Sequence, residues 1–163
     1  MQDIFLLLGS NLGQREKYLQ DALSLINSDI GKPIKISSVY KTAAWGNTDQ
    51  PEFLNQVIYL KSNVSATELL KRVLRIEEIL DRKRIKHWGA RTIDIDILFY
   101  GDEVINEPNL TIPHKLLHQR RFVLMPLSEI EPDFIHPVLN TTIAELLLKL
   151  TDDLSVKKIE NKY

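Results

Sequence analysis

Residues 92–100 read Thr-Ile-Asp-Ile-Asp-Ile-Leu-Phe-Tyr, and the alternation from Ile93 to Ile97 constrains the fold more than any other feature of the chain. An apolar residue at every second position fits a β-strand, because successive side chains on a strand point to opposite faces. Ile93, Ile95 and Ile97 therefore belong to a core, while Asp94 and Asp96 project together from the other face. Two carboxylates side by side repel unless something positive lies between them. A divalent cation is the natural neutraliser, and oxygen-only ligands favour Mg²⁺ or Mn²⁺. Taken alone, an Asp-x-Asp pair is more often the solvated face of an edge strand.

The rest of the chain supplies the sheet that such a strand needs. Ile4-Phe5-Leu6-Leu7-Leu8 is a short apolar run stopped by Gly9-Ser10-Asn11-Leu12-Gly13, which reads as a central strand followed by a turn. Leu19, Ala22, Leu23 and Ile26 recur at helical spacing and predict an amphipathic helix over about residues 14–28. Residues 33–41 and 53–60 read as strands, separated by a long loop over residues 42–52. Ser65-x-x-Glu68 is a capping box, so a helix begins there, with Leu69, Leu70, Val73, Leu74, Ile76 and Leu80 as its apolar stripe. The order strand, helix, strand, strand, helix, strand is the split βαβ pattern. It predicts an α+β fold: a ferredoxin-like βαββαβ core with helices packed on an antiparallel sheet. A C-terminal extension of shorter, Pro-punctuated elements follows from residue 101, with a last helix over residues 142–150. Residues 157–163 read as an edge strand or a frayed tail. With no linker or repeat along its 163 residues, the sequence is expected to form a single domain, 1–163.

A basic segment feeds directly into the acidic pair. Arg82, Lys83, Arg84, Lys86 and Arg91 lie within ten residues, with His87 and Trp88 among them. This juxtaposition suits a polyphosphate: carboxylates hold metal, metal bridges phosphate oxygens, and guanidinium groups take the remaining charge in bidentate fashion. A flexible basic loop paired with surface acids is the plainer reading. Glu77 falls on the apolar stripe of its helix, where a carboxylate needs a partner. The sugar or base of a nucleotide would serve, and so would an arginine of the basic loop. Trp45, Phe53, Trp88 and Phe122 are flat rings able to sandwich a heterocycle, although most such rings are simply core. Asn55 shares a strand face with Phe53 and Val57, and its inward amide must pair with backbone or with the edge of a bound ring. His114 and Arg120 are in reach of phosphates, whereas His118 and His136 read as structural.

Composition narrows the functional classes. The net charge is −1, which argues against a general nucleic-acid coat or a polybasic membrane binder. No cysteine is present, which excludes disulfides, thiolate ligands and a Cys nucleophile, and fits a reducing compartment. The first apolar run is far too short for a membrane span and lacks a basic segment before it, so the chain is expected in the cytoplasm with no membrane contact. Two nucleotide signatures are missing: Gly9-Ser10-Asn11-Leu12-Gly13 lacks the Lys-Ser/Thr ending of a P-loop, and no G-x-G-x-x-G follows a strand. An RNA-recognition module has the same strand–helix order but needs exposed aromatics on its central strands, where this chain offers Asp94 and Asp96. A Gly-Ser nucleotidyltransferase needs its aspartates close behind the Gly-Ser, and here they stand far downstream.

Taken together, Gly9-Ser10-Asn11-Leu12-Gly13, Asp49-Gln50-Pro51-x-Phe53-Leu54-Asn55, Arg75-Ile76-Glu77, Arg82-x-Arg84, the run from Trp88 to Leu98, and Pro113-His114 resemble the 6-hydroxymethyl-7,8-dihydropterin pyrophosphokinase family. The resemblance extends to about Pro137. It implies transfer of pyrophosphate from ATP to the hydroxymethyl group of the pterin, with release of AMP, in folate biosynthesis. It implies two Mg²⁺ ions on Asp94 and Asp96, and ATP bound by Glu77, Arg84, Trp88, Ile97 through its backbone, Thr111, His114 and Arg120. Arg82 and Arg91 are then expected to act around the transferring group as catalytic residues. The pterin falls to Phe53, Phe122, Asn55 and the loop of Thr42, Ala43 and Trp45. The partners implied are ATP and a pterin alcohol, with no nucleic acid, and the state implied is a monomer. The sequence departs from the family pattern at Ala43, Ala44, Trp45, His87, Ala90, Asn109 and Lys115, which bears on individual contacts rather than on the reaction.

Overall fold

A computed structural model describes residues 1–42, 51–80, 92–152 and 154–159. The central strand is β1 (Gln2–Ser10), flanked by β4 (Phe53–Ser62) on one side and β5 (Asp94–Tyr100) on the other, both antiparallel. β3 (Tyr40–Thr42) and β2 (Pro33–Ile36) pair with the far side of β4, and β8 (Val156–Lys158) pairs with β3, giving the path β5-β1-β4-β3-β8. Helices α1 (Arg15–Asp29) and α2 (Ala66–Ile79) cross over between strands as the βαββαβ pattern requires. The ferredoxin-like core anticipated above is present.

Alternation along the strands divides the interior into two apolar layers. Ile4, Leu6 and Leu8 of β1, Leu54 and Ile58 of β4, and Ile93, Ile95 and Ile97 pack with Leu19, Ala22 and Ile26 of α1 and Leu69, Val73 and Ile76 of α2. On the other face, Phe5, Leu7, Val57, Leu98 and Phe99 pack under α3 (Arg121–Ile130) and α4 (Ile143–Leu148). The capping signals act as read. Ser65 Oγ accepts from Glu68 N at 3.2 Å, and Thr142 Oγ1 accepts from Glu145 N at 3.2 Å.

Several details differ from the sequence reading. The strand expected over residues 33–41 is two short strands, because Ser37 binds β4 by its own side chain: its Oγ accepts from Val57 N and its N donates to Val57 O, both at 2.9 Å. The register also shifts between Pro33 and Lys35. Gly9 and Ser10 lie inside β1, since Gly9 pairs with both Asn55 and Asp94 and the ladder continues through Ser10. On α2, Leu74 is exposed, and Glu77 takes a buried place on the stripe. Helix α3 emerges from the region read as short pieces. A two-stranded ribbon of β6 (Ile105–Glu107) and β7 (Leu110–Ile112) stands apart from the main sheet. Among the described residues, no helix is long and apolar enough to cross a membrane.

Candidate active site

Asp94 and Asp96 lie on the α3 face of β5, both half-buried, while Ile95 and Ile97 are buried on the α1–α2 face. The register sets Asp94 opposite Gly9 and Asp96 opposite Leu7. On the other flank of β1, Gly9 pairs with Asn55 and Leu7 with Val57. Directly opposed residues of antiparallel strands share a face. The two carboxylates and the Asn55 amide therefore face the same side of the sheet, near the end of β1 that runs into the α1 turn.

Asn55 is 3% exposed and its Nδ2 has no hydrogen-bond partner among the described residues. A buried amide N–H left unpaired costs about 1–3 kcal/mol, so it marks a position that a ligand would complete. The Ser10 and Thr92 hydroxyls are in the same condition, one at the end of β1 and one just before β5. Neither was singled out as a site residue in the sequence reading. The available signal was position alone: a small hydroxylated residue at the end of β1 and another just before β5.

A cis Ile112–Pro113 bond turns the chain out of β7, and His114 N then donates to Leu98 O of β5 at 3.0 Å. His114 Nδ1 accepts from Leu116 N at 3.3 Å, which leaves Nε2 as the proton-bearing nitrogen of the neutral ring. Burial and the nearby Arg120 guanidinium push the His114 pKa below its ordinary value, with Asp94 opposing. Burial likewise lowers Arg120, with Asp96 and Asp152 opposing. His114 is thus within electrostatic reach of Arg120 and Asp94, and Arg120 of Asp96. The Arg120 guanidinium carbon lies 5.5 Å from the centre of the Phe122 ring, a cation–π placement.

One partner of Glu77 is a backbone group. Glu77 is 3% exposed, and its Oε2 accepts from the backbone N of Ile95 at 2.7 Å. β5 is the outer strand of the sheet, so this N–H points away from β1, and Ile97 is the next residue on that rim. Thr42 is buried at the end of β3, its hydroxyl donating to Ser155 O at 3.3 Å. Phe53 is half-buried, Phe122 is buried at the start of α3, and Thr111 is exposed on the β6–β7 ribbon. Ala43, Trp45, Arg82, Arg84, Trp88 and Arg91 lie outside the described residues, as do most of the loop over residues 42–52 and of the basic loop before Thr92.

The donor set at Asp94 and Asp96 limits which ion fits this face. It contains only oxygen, on one face and partly shielded from water, which suits a hard divalent cation. Among the described residues no cluster of three or more His, Cys, Asp or Glu converges on a point. Two carboxylates leave further coordination positions to water and phosphate oxygens, as is usual for Mg²⁺ with a nucleotide. The arrangement sets two oxygen donors for a hard cation on the same strand-end surface as a buried amide N–H without a partner among the described residues.

Comparison with known proteins specifies the class. Residues 5–132 match the family described as 7,8-dihydro-6-hydroxymethylpterin-pyrophosphokinase (HPPK). The 2-amino-4-hydroxy-6-hydroxymethyldihydropteridine pyrophosphokinase of Aquifex aeolicus is 41% identical over 145 residues, covering 89% of this chain and 90% of that one. The enzyme of the same name from Haemophilus influenzae is 38% identical over 154 residues, covering 94% and 96%. The crystal structure of a Plasmodium falciparum HPPK-DHPS triple mutant with pteroate superposes with a TM-score of 0.75 at 21% identity. It covers 91% of this chain and 43% of that one, a likeness of fold. The chain belongs to the 7,8-dihydro-6-hydroxymethylpterin-pyrophosphokinase family, and it is a diphosphokinase, a transferase with ATP as co-substrate.

Proposed function

We propose that the chain moves the pyrophosphoryl group of ATP onto the hydroxymethyl oxygen of 6-hydroxymethyl-7,8-dihydropterin at the face shared by Asp94, Asp96 and Asn55. One observation carries the site assignment: a buried amide N–H without a partner stands on the same strand-end surface as two neighbouring carboxylates. Asn55 hydrogen-bonds the edge of the pterin, with Phe53 and Phe122 against its faces. Thr42, Ala43 and Trp45 complete that pocket. Asp94 and Asp96 hold two Mg²⁺ ions with the triphosphate. When bound, these supply charge neutralisation and orientation of the phosphate oxygens.

Transfer of this kind needs alignment and electrostatic support more than a protein nucleophile. Neutral His114 donates from Nε2 to a phosphate oxygen. Arg120, held against Phe122, supplies positive charge to the same group. Glu77 fixes the β5 edge by its bond to Ile95 N, which keeps the Ile97 backbone in position for the adenine. Thr111 and Arg84 add nucleotide contacts, and Trp88 closes over them. Arg82 and Arg91 act at the transferring group, and the two loops exclude water, the competing acceptor. The chain works as a cytoplasmic monomer of one domain. Its cysteine-free composition supports a reducing compartment.

Asp96→Ala tests the site. Turnover to AMP, followed by phosphorus NMR, is expected to fall roughly 10²–10³-fold with an unchanged circular-dichroism spectrum. Wild-type turnover in this variant would remove Asp96 from the site, and turnover insensitive to EDTA would remove the metal.

A further inference from the structure

Gly9 is the cross-strand partner of Asn55 on one side and of Asp94 on the other. The three stand in one row across the sheet, all toward the same face. Neighbouring strands lie ~4.8 Å apart, which puts Asn55 and Asp94 about 10 Å apart along that row. Only backbone lies between them. The parallel row through Val57, Leu7 and Asp96 has a full leucine at its centre.

The space above Gly9 is tightly defined. A Cβ built there would stand 3.1 Å from Asn55 Oδ1 and 3.8 Å from Phe53 Cδ1. Gly13 and Gly101 have positive φ, and Gly9 does not. The backbone at Gly9 therefore accepts any residue, and conformational freedom does not account for glycine there. A glycine inside a strand instead marks a place where something approaches the backbone closely.

We propose that Gly9 is a positioning residue for the acceptor substrate. Its missing side chain is the floor over which a flat bicyclic ring, held at Phe53 and Asn55, sends its hydroxymethyl arm toward Asp94 and Asp96. This rests on the assignment of Phe53 and Asn55 to the pterin. A methyl group at this position turns the Asn55 amide aside or lifts the ring. Either outcome weakens acceptor binding and leaves the nucleotide contacts alone.

The test compares Gly9→Ala with Asn55→Ala in steady-state assays that vary each substrate in turn. Gly9→Ala is expected to raise KM for the pterin about tenfold, with KM for ATP unchanged and a melting curve like that of the wild type. A wild-type pterin KM in Gly9→Ala, beside a raised one in Asn55→Ala, overturns the role of Gly9 alone. A wild-type pterin KM in Asn55→Ala overturns the underlying site assignment. The wild-type protein gives a second readout in case Gly9→Ala folds poorly. The Gly9 amide resonance in a ¹⁵N spectrum is expected to shift on addition of hydroxymethylpterin alone, and an unmoved resonance at saturation overturns the proposal.

Discussion

The two faces of β1 begin alike and end differently. Toward α1 and α2 the strand presents Ile4, Leu6 and Leu8, all fully buried, in one continuous apolar layer. Toward α3 and α4 it presents Phe5 and Leu7 in an equally apolar layer, and then Gly9. Beyond Leu7 the neighbours on that face are Asp94 and Asn55. The same strands thus carry a closed core on one side and a half-closed one on the other. The candidate site begins where the apolar layer of the second face stops. Stability and chemistry are drawn from the same alternation by changing only the residues at one end of each strand, the last of β1 and the first of β4 and β5.

Variants can sharpen or break this division. Leu6→Ala on the closed face is expected to lower unfolding free energy by about 2–5 kcal/mol in urea titration, since it leaves a cavity among fully buried side chains. KM for both substrates should stay near wild type at temperatures where the variant is folded. A changed KM would mean that the two faces are not independent. Glu77→Ala should be smaller, about 1–3 kcal/mol, from leaving Ile95 N–H without its acceptor. Because α2 and β5 meet at this bond, Glu77→Ala should also weaken nucleotide binding in calorimetry, which a purely apolar loss on that face should not.

The smallest effect concerns pH on the second face. His136 is buried against Phe99, and its Nδ1 accepts from Val138 N at 3.2 Å and Leu139 N at 3.1 Å. Burial, with His118 nearby, lowers its pKa from 6.5. The unfolded chain therefore binds this proton more readily than the folded one. The contribution is complete above pH 6.5 and is lost as pH falls through the lowered folded value. Melting temperature should drop between pH 7.5 and 5.5, and His136→Asn should flatten that slope. An equal slope in both proteins would rule out His136 as the titrating group.

Much of the fold was legible because its signals are local. The Ile–Asp alternation gave β5 and the orientation of both carboxylates, and Ser65 with Glu68 gave the start of α2. Helix α3 was hidden by Pro126 in its interior. A proline there costs about 3 kcal/mol. Burial of Val123, Leu124 and Leu127 contributes roughly 1.5–3 kcal/mol each and prevails. Proline punctuation thus gave a false boundary, because packing was decided by strands far away in sequence. Gly9 was read as turn for the same reason. Its meaning depends on Asn55 and Asp94, which reach it only through register. The backbone partner of Glu77 was equally nonlocal, a group eighteen residues on.

That contact has a consequence for how the protein behaves in a crowd of its own copies. An outermost strand with open N–H groups is a template on which another polypeptide can add itself. Most sheets blunt such a border with charge or proline, but here the border also serves the proposed nucleotide site and must stay clear. By seating its carboxylate on Ile95 N, Glu77 occupies a donor that an invading segment would need, and His114 N takes the Leu98 carbonyl further along the same strand.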